Sequence, residues 1–340
     1  MRLFLRWISN MTDAAARPLL SVVIPVYNAA SYLGDLIESL LKQRLVPDEV
    51  IFVDDGSTDA SFELISKRCA GLRGLQIIRQ ENQGQAVARN VGLRHATGRY
   101  LAFLDADDFV APDLYATLVD LAESEQLDVA MCNAWNFYEG RKPDTLLYRN
   151  VPDSGVITGE AWLQQRWSSK YLPHYCWLQI CRRSFIDQLG LTFPIADPHE
   201  DVVWITEILL AARRFHFIPE PLYLFRKKVR ELSTPVPALL PKQQVRPNKV
   251  IESSLYNTQA LARIAQRPAL QPLTRRLLRK DFVNGGCNAI RNIRQLSDTA
   301  QRAYYLQRVR EEEFVRLLWR HAAGSSQYWR VLRYHLLSYF

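Results

Sequence analysis

The stretch Arg99–Phe109, RYLAFLDADDF, sets three carboxylates at the end of an apolar run. Tyr100–Leu104 reads as a fully buried strand, and Asp105, Asp107 and Asp108 follow it directly. Carboxylates crowded there repel one another and lose hydration unless something cationic sits among them. In an extended chain Asp105 and Asp107, flanking Ala106, point to the same side. Such a pair suits a hard divalent ion, Mg2+ or Mn2+, that keeps its other positions for water and phosphate oxygens. The plainer reading is an acidic turn capping the next helix. It is weaker, because Pro112 and Asp113 already mark that helix's first turn.

Two more strand ends carry polar groups. Leu20–Tyr27 ends in Pro25-Val26-Tyr27-Asn28, and Val50–Val53 ends in Asp54-Asp55. Taken singly, these are turn residues. Taken together, Asp54 and Asp55 can accept N–H or O–H donors from a nucleoside, and Tyr27 offers a flat face to a base. Gly84 opens a helix over Gln85–His95, whose N-terminus favours anions. Arg89 lies between apolar neighbours and calls for a charged partner. On neighbouring parallel strands all these ends converge on one crevice. Neither a GxxxxGK[ST] loop nor a GxGxxG after the first strand is present, which excludes the P-loop and dinucleotide-binding readings.

The elements that must position these residues alternate. Strands at Leu20–Tyr27, Val50–Val53, Leu75–Ile78, Tyr100–Leu104 and Val129–Ala134 are separated by helices at Ala29–Lys42, Ala60–Cys69, Gln85–His95 and Pro112–Glu123. That order predicts an α/β fold with a parallel sheet and helices on both faces. Further on come a short helix at Trp162–Trp167, a strand at Tyr175–Cys181, helices at Phe185–Leu189 and Val202–Arg213, and a last strand at Leu222–Arg226. The chain has 340 residues, 48% of them hydrophobic, enough for a sizeable core. Its five cysteines are odd in number and form no CxxC, which argues against disulfides or structural zinc and favours a reducing compartment. No apolar run approaches the roughly 18–20 residues of a membrane span. The opening MRLFLRWISNM lacks the long apolar core of a signal peptide.

The ordered set Pro25-x-Tyr27-Asn28, Asp54-Asp55-Gly56-Ser57-Thr58-Asp59, Asn82-x-Gly84 with Ala88-Arg89-Asn90, Gly98, and Asp105-Ala106-Asp107-Asp108 resembles the signature of family 2 glycosyltransferases. The resemblance covers about residues 19–235. It implies the GT-A fold, with its mostly parallel, Rossmann-like sheet, and inverting transfer from a nucleotide sugar, UDP-sugars foremost. Pro25, Tyr27, Asn28, Asp54, Asp55, Gly84 and Arg89 would then bind the donor. Asp105, Ala106 and Asp107 would bind its diphosphate, with Asp107 and Asp105 holding Mg2+ or Mn2+. Arg226, beside Lys227 and Lys228 and ahead of Ser233-Thr234, would close over the pyrophosphate. Asp201 matches the catalytic base, and His199, Glu200, Trp177 and Trp204 would face the acceptor. By residue type alone the two tryptophans are core residues, although an indole face also suits a sugar. Gln179 stands where relatives often carry Lys.

The Gln-x-x-Arg-Trp pattern of processive synthases is absent, so transfer of a single sugar is expected. The acceptor implied is a glycan or lipid-linked glycan of the cell envelope: lipopolysaccharide, capsule or exopolysaccharide. Two other classes compete. A sugar-nucleotide nucleotidyltransferase would need a Gly-rich basic loop after the first strand, and Pro25–Tyr32 has none. A non-catalytic nucleotide-sugar-binding subunit would have lost Asp107 or Asp201, and both are present.

The net charge of +8 is unevenly spread, with 18 Lys and Arg against 6 Asp and Glu from Pro241 to Phe340. The expected division is an N-terminal extension over 1–18, a catalytic domain over 19–235 and a basic helical region over 236–340. Helices are expected at Val250–Ile264, Leu270–Asp281, Ala303–Ala322 and Gln327–Ser338, punctuated by Gly285-Gly286 and Gly324. The last of them, WRVLRYHLLSYF, either packs on the catalytic domain or touches an anionic membrane surface. No motif accompanies the charge that would favour nucleic acid. The location expected is cytoplasmic, with the inner face of the plasma membrane as a peripheral site.

Overall fold

The computed structural model describes residues 18–69, 71–72, 74–139, 144–169, 174–196, 198–227 and 247–338. The N-terminal extension through residue 17, the loop with Lys228, Ser233 and Thr234, and the 235/236 boundary lie outside them. In chain order the elements are β1 (Leu20–Val26), α1 (Leu33–Leu41), β2 (Glu49–Asp54), α2 (Ser61–Arg68), β3 (Leu75–Arg79), α3 (Gln85–His95), β4 (Tyr100–Phe103) and β5 (Phe109–Val110). Then follow α4 (Leu114–Ser124), β6 (Val129–Phe137), β7 (Thr145–Leu146), α5 (Gly159–Ser168), β8 (Gln179–Arg182), α6 (Arg183–Leu189), α7 (Asp201–Ala211) and β9 (Phe215–Arg226). Five helices complete the described residues: α8 (Pro247–Ile264), α9 (Pro272–Arg294), α10 (Thr299–Glu311), α11 (Phe314–His321) and α12 (Ser325–Ser338). Among the described residues no helix is long and apolar enough to cross a membrane.

Two compact units result. The first takes its residues from Met1–Ile157, Cys176–Thr192 and Ala212–Glu231, and the second from Thr158–Tyr175, Phe193–Ala211 and Leu232–Phe340. All strands belong to the first unit, in the order β3-β2-β1-β4-β8-β6-β9-β5, with β7 on β6. Strands β1 to β4 pair in parallel, as their alternation with helices requires. Their apolar runs are wholly buried in β1, β2 and β4. Helix α1 buries Leu33, Leu36, Ile37 and Leu40 as one stripe.

The sheet is not parallel throughout. Strand β8 lies antiparallel between β4 and β6, and β5 runs antiparallel to β9. β6 therefore keeps the direction of β4 without touching it. The apolar stretch Tyr175–Cys181 is only partly strand: Cys176–Leu178 forms a tight 3-10 turn before β8 begins. The last strand is longer than its apolar core suggests, because it pairs along β6 from Phe215 to Arg226 despite bulges near Asn133.

The second unit is helical. Gly285 and Gly286 do not end a helix; α9 runs through them. A Cβ on Gly286 would stand 2.6 Å from Leu318 Cδ2 and 3.1 Å from Thr258 Cγ2. The missing side chain thus serves close approach of α8 and α11 rather than chain breaking. The helix expected over Ala303–Ala322 is two helices, broken where Glu313 takes φ +48°. That break turns Phe314, Val315 and Leu318 into the unit's core. Helix α12 packs on α9 through buried Val331 and through Arg330, whose guanidinium donates to Asn284 and Asn288, while Trp329 stays exposed.

Candidate active site

Strands β1, β2 and β4 end side by side, and the loops that follow make the site. Strand β1 pairs with β4 only through Val23, the last bond running from Leu104 N to Val23 O. Residues of a strand alternate in the side to which their backbone groups point. Pro25, with no N–H, therefore faces the side where β4 has already departed, and no ladder bond is lost. The sheet opens there into a crevice.

The second strand end is tied to the first. Asn28 takes φ +49°, a conformation asparagine tolerates. Its Oδ1 accepts from the N–H of Thr58 (2.8 Å) and of Asp59 (3.3 Å), and its own N–H donates to Ser57 Oγ. Asp54 is fully buried; its Oδ1 accepts from Ser57 N–H and its Oδ2 lies 3.1 Å from Arg79 Nε. Asp55, also buried, accepts from Gln80 Nε2 (2.7 Å), Gln83 N (2.9 Å) and Gly84 N (2.8 Å). Gly84 has φ +97°, open to glycine at no steric cost, and starts α3 without a side-chain cap of its own. The Asp55 carboxylate thus sits at the positive end of α3. Tyr27 is exposed, whereas the Asp54 and Asp55 carboxylates are buried and organise the loops from within.

Helix α3 carries the connection to the third strand end. Buried Arg89 donates from Nη2 to Asp105 Oδ1 at 2.6 Å, and Gln85 Nε2 adds a bond of 3.2 Å. Arg89 is the cation that the crowded carboxylates require, and Asp105 is the partner that a buried arginine requires. The chain is not extended here. Asp108 N–H donates to Asp105 O, so the backbone turns at Ala106-Asp107, and period-two alternation does not govern Asp105 and Asp107.

Asp108 differs from the other two. It is 1% exposed and accepts from Tyr223 OH (2.7 Å) and Arg226 N–H (2.8 Å). Burial above all, then the charges of Asp107 and Asp105, push its pKa well above the usual carboxylate range. It anchors β9 to the loop. Arg226 is a second anchor. Its Nε donates to Asp107 O (2.9 Å), Nη2 to Asp35 (2.6 Å) and Nη1 to Glu139. Its guanidinium lies 5.2 to 5.5 Å from the ring centroids of Tyr32, Phe109 and Phe137. In the structure, Arg226 holds the backbone of Asp107.

Asp105 and Asp107 supply hard oxygen donors of the kind that Mg2+ and Mn2+ take. Among the described residues no group of three His, Cys, Asp or Glu could hold an ion alone. Two carboxylates leave the other positions of such an ion to water or phosphate oxygens, the coordination Mg2+ commonly keeps.

The second unit holds the other group. Asp201 begins α7, where the helix N-terminus favours its charged form. His199, two residues before it, takes φ +78°, which is strained for a residue with a side chain. Helix α8 braces that turn: Asn257 Nδ2 donates to His199 O (2.9 Å), and Ser253 Oγ donates to Pro198 O. His174, half-buried with its Nε2 enclosed, interacts with His199, and desolvation, then the charge of His199, lowers its pKa to about 4. Glu200 is buried and His199 exposed.

The tryptophans are placed by packing. Trp177 stacks on Tyr223 at 4.1 Å, and Trp204 stacks on Phe193 at 4.4 Å. With 5% and 1% exposure, neither presents an open indole face. Gln179 is buried in β8, and among the described residues its amide atoms have no hydrogen-bond partner. Sequence reading missed Asp35, Glu139, Tyr223, Ser253 and Asn257. The first three reach the loop after β4 and the last two the turn before α7, each from a distant segment, and none belongs to a motif.

The family model described as "Glycosyl transferase family 2" matches residues 21–189, which include every strand-end residue from Pro25 to Asp108. This chain carries a family 2 glycosyltransferase domain. Among curated relatives, the uncharacterized glycosyltransferase YibD of Escherichia coli K12 is 38% identical over 208 residues, 61% of this chain and 60% of YibD. The chain thus spans about 60% of that relative's length. Among solved structures, Staphylococcus aureus TarS 1–349 in complex with UDP-GlcNAc aligns with a TM-score of 0.66. The identity is 18%, over 88% of this chain and 81% of that one. The mannosyltransferase PcManGT of Pyrobaculum calidifontis, in complex with GDP-Man and Mn2+, aligns with a TM-score of 0.52 at 17% identity. That alignment covers 99% of this chain and 88% of PcManGT. At such identity these glycosyltransferase neighbours report the GT-A fold.

Proposed function

We propose that the protein is an inverting, metal-dependent glycosyltransferase that moves one sugar from a nucleotide sugar, a UDP-sugar foremost, to a hydroxyl of a cell-envelope glycan. The observation that carries this reading is the linked set Asp55–Gly84–Arg89–Asp105 at the carboxyl ends of the parallel strands β1, β2 and β4 in a family 2 domain. Tyr27 would stack on the base at the mouth of that crevice, with the loops held by Asn28, Asp54 and Asp55 around the nucleoside. Asp107 and Asp105 would hold Mg2+ or Mn2+, which supplies charge neutralisation at the diphosphate. Arg226 keeps the Asp107 backbone in place, and Arg89 balances Asp105. Asp201 would take the proton from the acceptor hydroxyl. The complexes of TarS with UDP-GlcNAc and of PcManGT with GDP-Man and Mn2+ support the donor class and the ion.

A panel of nucleotide sugars tests the reading. Purified protein should release nucleoside diphosphate from a subset of donors, faster with Mn2+ or Mg2+ than with chelator. Absence of release from every donor, with no metal-dependent binding of UDP or GDP, would overturn it.

A further inference from the structure

The helical unit contains a cavity of about 300 Å³ between the start of α9 and the end of α11. Its walls include Pro272, Arg275, Arg276, Arg279, Arg320 and His321, and no acidic residue lines it. Arg275 and Arg279 are four residues apart on one helix face, a like-charge spacing that disfavours the helix unless an anion sits over it. The same end of α9 is its positive end. Gln271 precedes it without a side-chain cap, and Pro272 occupies the first turn. Glu160 accepts the Gln271 N–H from outside the cavity wall.

The donors in this cavity are under-used. The Nη2 of Arg275 goes to the carbonyls of Arg267 and Pro268. The Nε atoms of Arg275 and Arg279 and the Nδ1 of His321 are buried without a hydrogen-bond partner among the described residues. His321 is 8% exposed, and its ring is set against Phe282 at 5.2 Å. Burial first, then the charges of Arg279 and Arg320, lower its pKa. Among the described residues the cavity lining itself holds no carboxylate, and Glu160 meets only the backbone at Gln271 from outside it. Buried polar groups left without a protein partner call for a water, an ion or a ligand, and three of them meet at this one cavity.

We propose that this cavity, built wholly within the second unit, binds a phosphoryl group. Several guanidinium forks converging with an imidazole exceed what one carboxylate can satisfy and suit the tetrahedral oxygens of a phosphate or diphosphate. The group can come from a soluble or glycan-borne phosphate or from a phospholipid headgroup, and the two sources separate experimentally. The proposal does not depend on the donor site and stands or falls apart from it.

Calorimetry with inorganic pyrophosphate on the full chain is the test, with Arg276→Gln/Arg320→Gln as the double variant, since both side chains are exposed. Parent protein and Asp107→Ala should share a saturable site that the double variant weakens at least tenfold. The double variant should keep its helical circular dichroism and its hydrolysis of the nucleotide-sugar donor. Co-sedimentation with phosphatidylglycerol vesicles that is lost in the double variant would identify the source as a lipid headgroup. Pyrophosphate binding without sedimentation would identify a soluble or glycan-borne phosphate. Equal pyrophosphate affinity in parent and double variant, or no binding to the parent, overturns the proposal.

Discussion

At the scale of single residues, the acidic run after β4 divides its labour. Asp105 is matched by Arg89, Asp108 is buried on Tyr223, and Asp107 is held through its backbone by Arg226. If Asp107 is the metal ligand, Asp107→Ala should remove the Mn2+ enhancement of UDP binding while leaving weak metal-free binding. Calorimetry with and without the ion reads this directly; equal enhancement in variant and parent would reject the assignment. Asp201 makes a separate claim. Asp201→Asn keeps the shape and removes the base, so turnover should fall on the order of 10²-fold or more. UDP affinity should stay at the parental value, because the residues proposed for the donor belong to the other unit. A variant that transfers sugar near the parental rate would rule out Asp201 as base.

At the scale of elements, α8 is an expected helix with a role that its own sequence does not announce. It braces the strained turn at His199 through Asn257 and Ser253. Removing that brace should let the start of α7 drift. Asn257→Ala should lower kcat by up to about 10²-fold, the effect that a shift of about 1 Å has on a reacting group. Nucleotide affinity should not change, so a loss confined to KM for the donor would contradict this role. Helix α9 makes a different demand. Its Gly286 lets α8 and α11 come close, and a Cβ there would overlap Leu318. Gly286→Ala should cost about 1–3 kcal/mol from overpacking, measured by urea unfolding, despite alanine's better helix propensity. Unchanged stability would mean that Leu318 moves aside at no cost.

At the scale of the whole molecule, one cluster couples stability to pH. His216 on β9 pairs through Nδ1 with Glu125 (2.5 Å) and through Nε2 with Asp153 (2.6 Å), joining the end of α4 to the loop before α5. Burial opposes its charge, but the bonds to Glu125 and Asp153 outweigh burial and raise its pKa above 6.5. A raised folded pKa means that the folded state holds the proton more tightly. The stabilisation is complete below about 6.5 and is lost as pH rises through the folded value. Urea midpoints of the parent should therefore fall across that window, and those of His216→Gln should fall less. Parallel curves for the two proteins would show that the cluster does not carry the dependence.

The sequence by itself determined the local part of this protein. Apolar runs that end in Asp54-Asp55 and Asp105–Asp108 are strands that stop at charge, and the alternation with helices forces neighbouring strands to run parallel. Helix α3 was legible to its end residues, because Gly84 and the apolar spacing act within one turn. Arg89 signalled a carboxylate partner because a buried guanidinium without one is costly. What the tertiary structure decided depends on segments far apart in the chain. Whether Asp108 is a ligand or an anchor is set by Tyr223 and Arg226, more than a hundred residues later. Whether Gly285-Gly286 breaks a helix or lets two helices meet is set by Leu318 and Thr258. The strand read at Tyr175–Cys181 carries no sign of its place, yet β8 enters antiparallel between β4 and β6. Periodicity reports which face of an element is buried, but not which partner buries it, and partner identity is what turns a motif into a site.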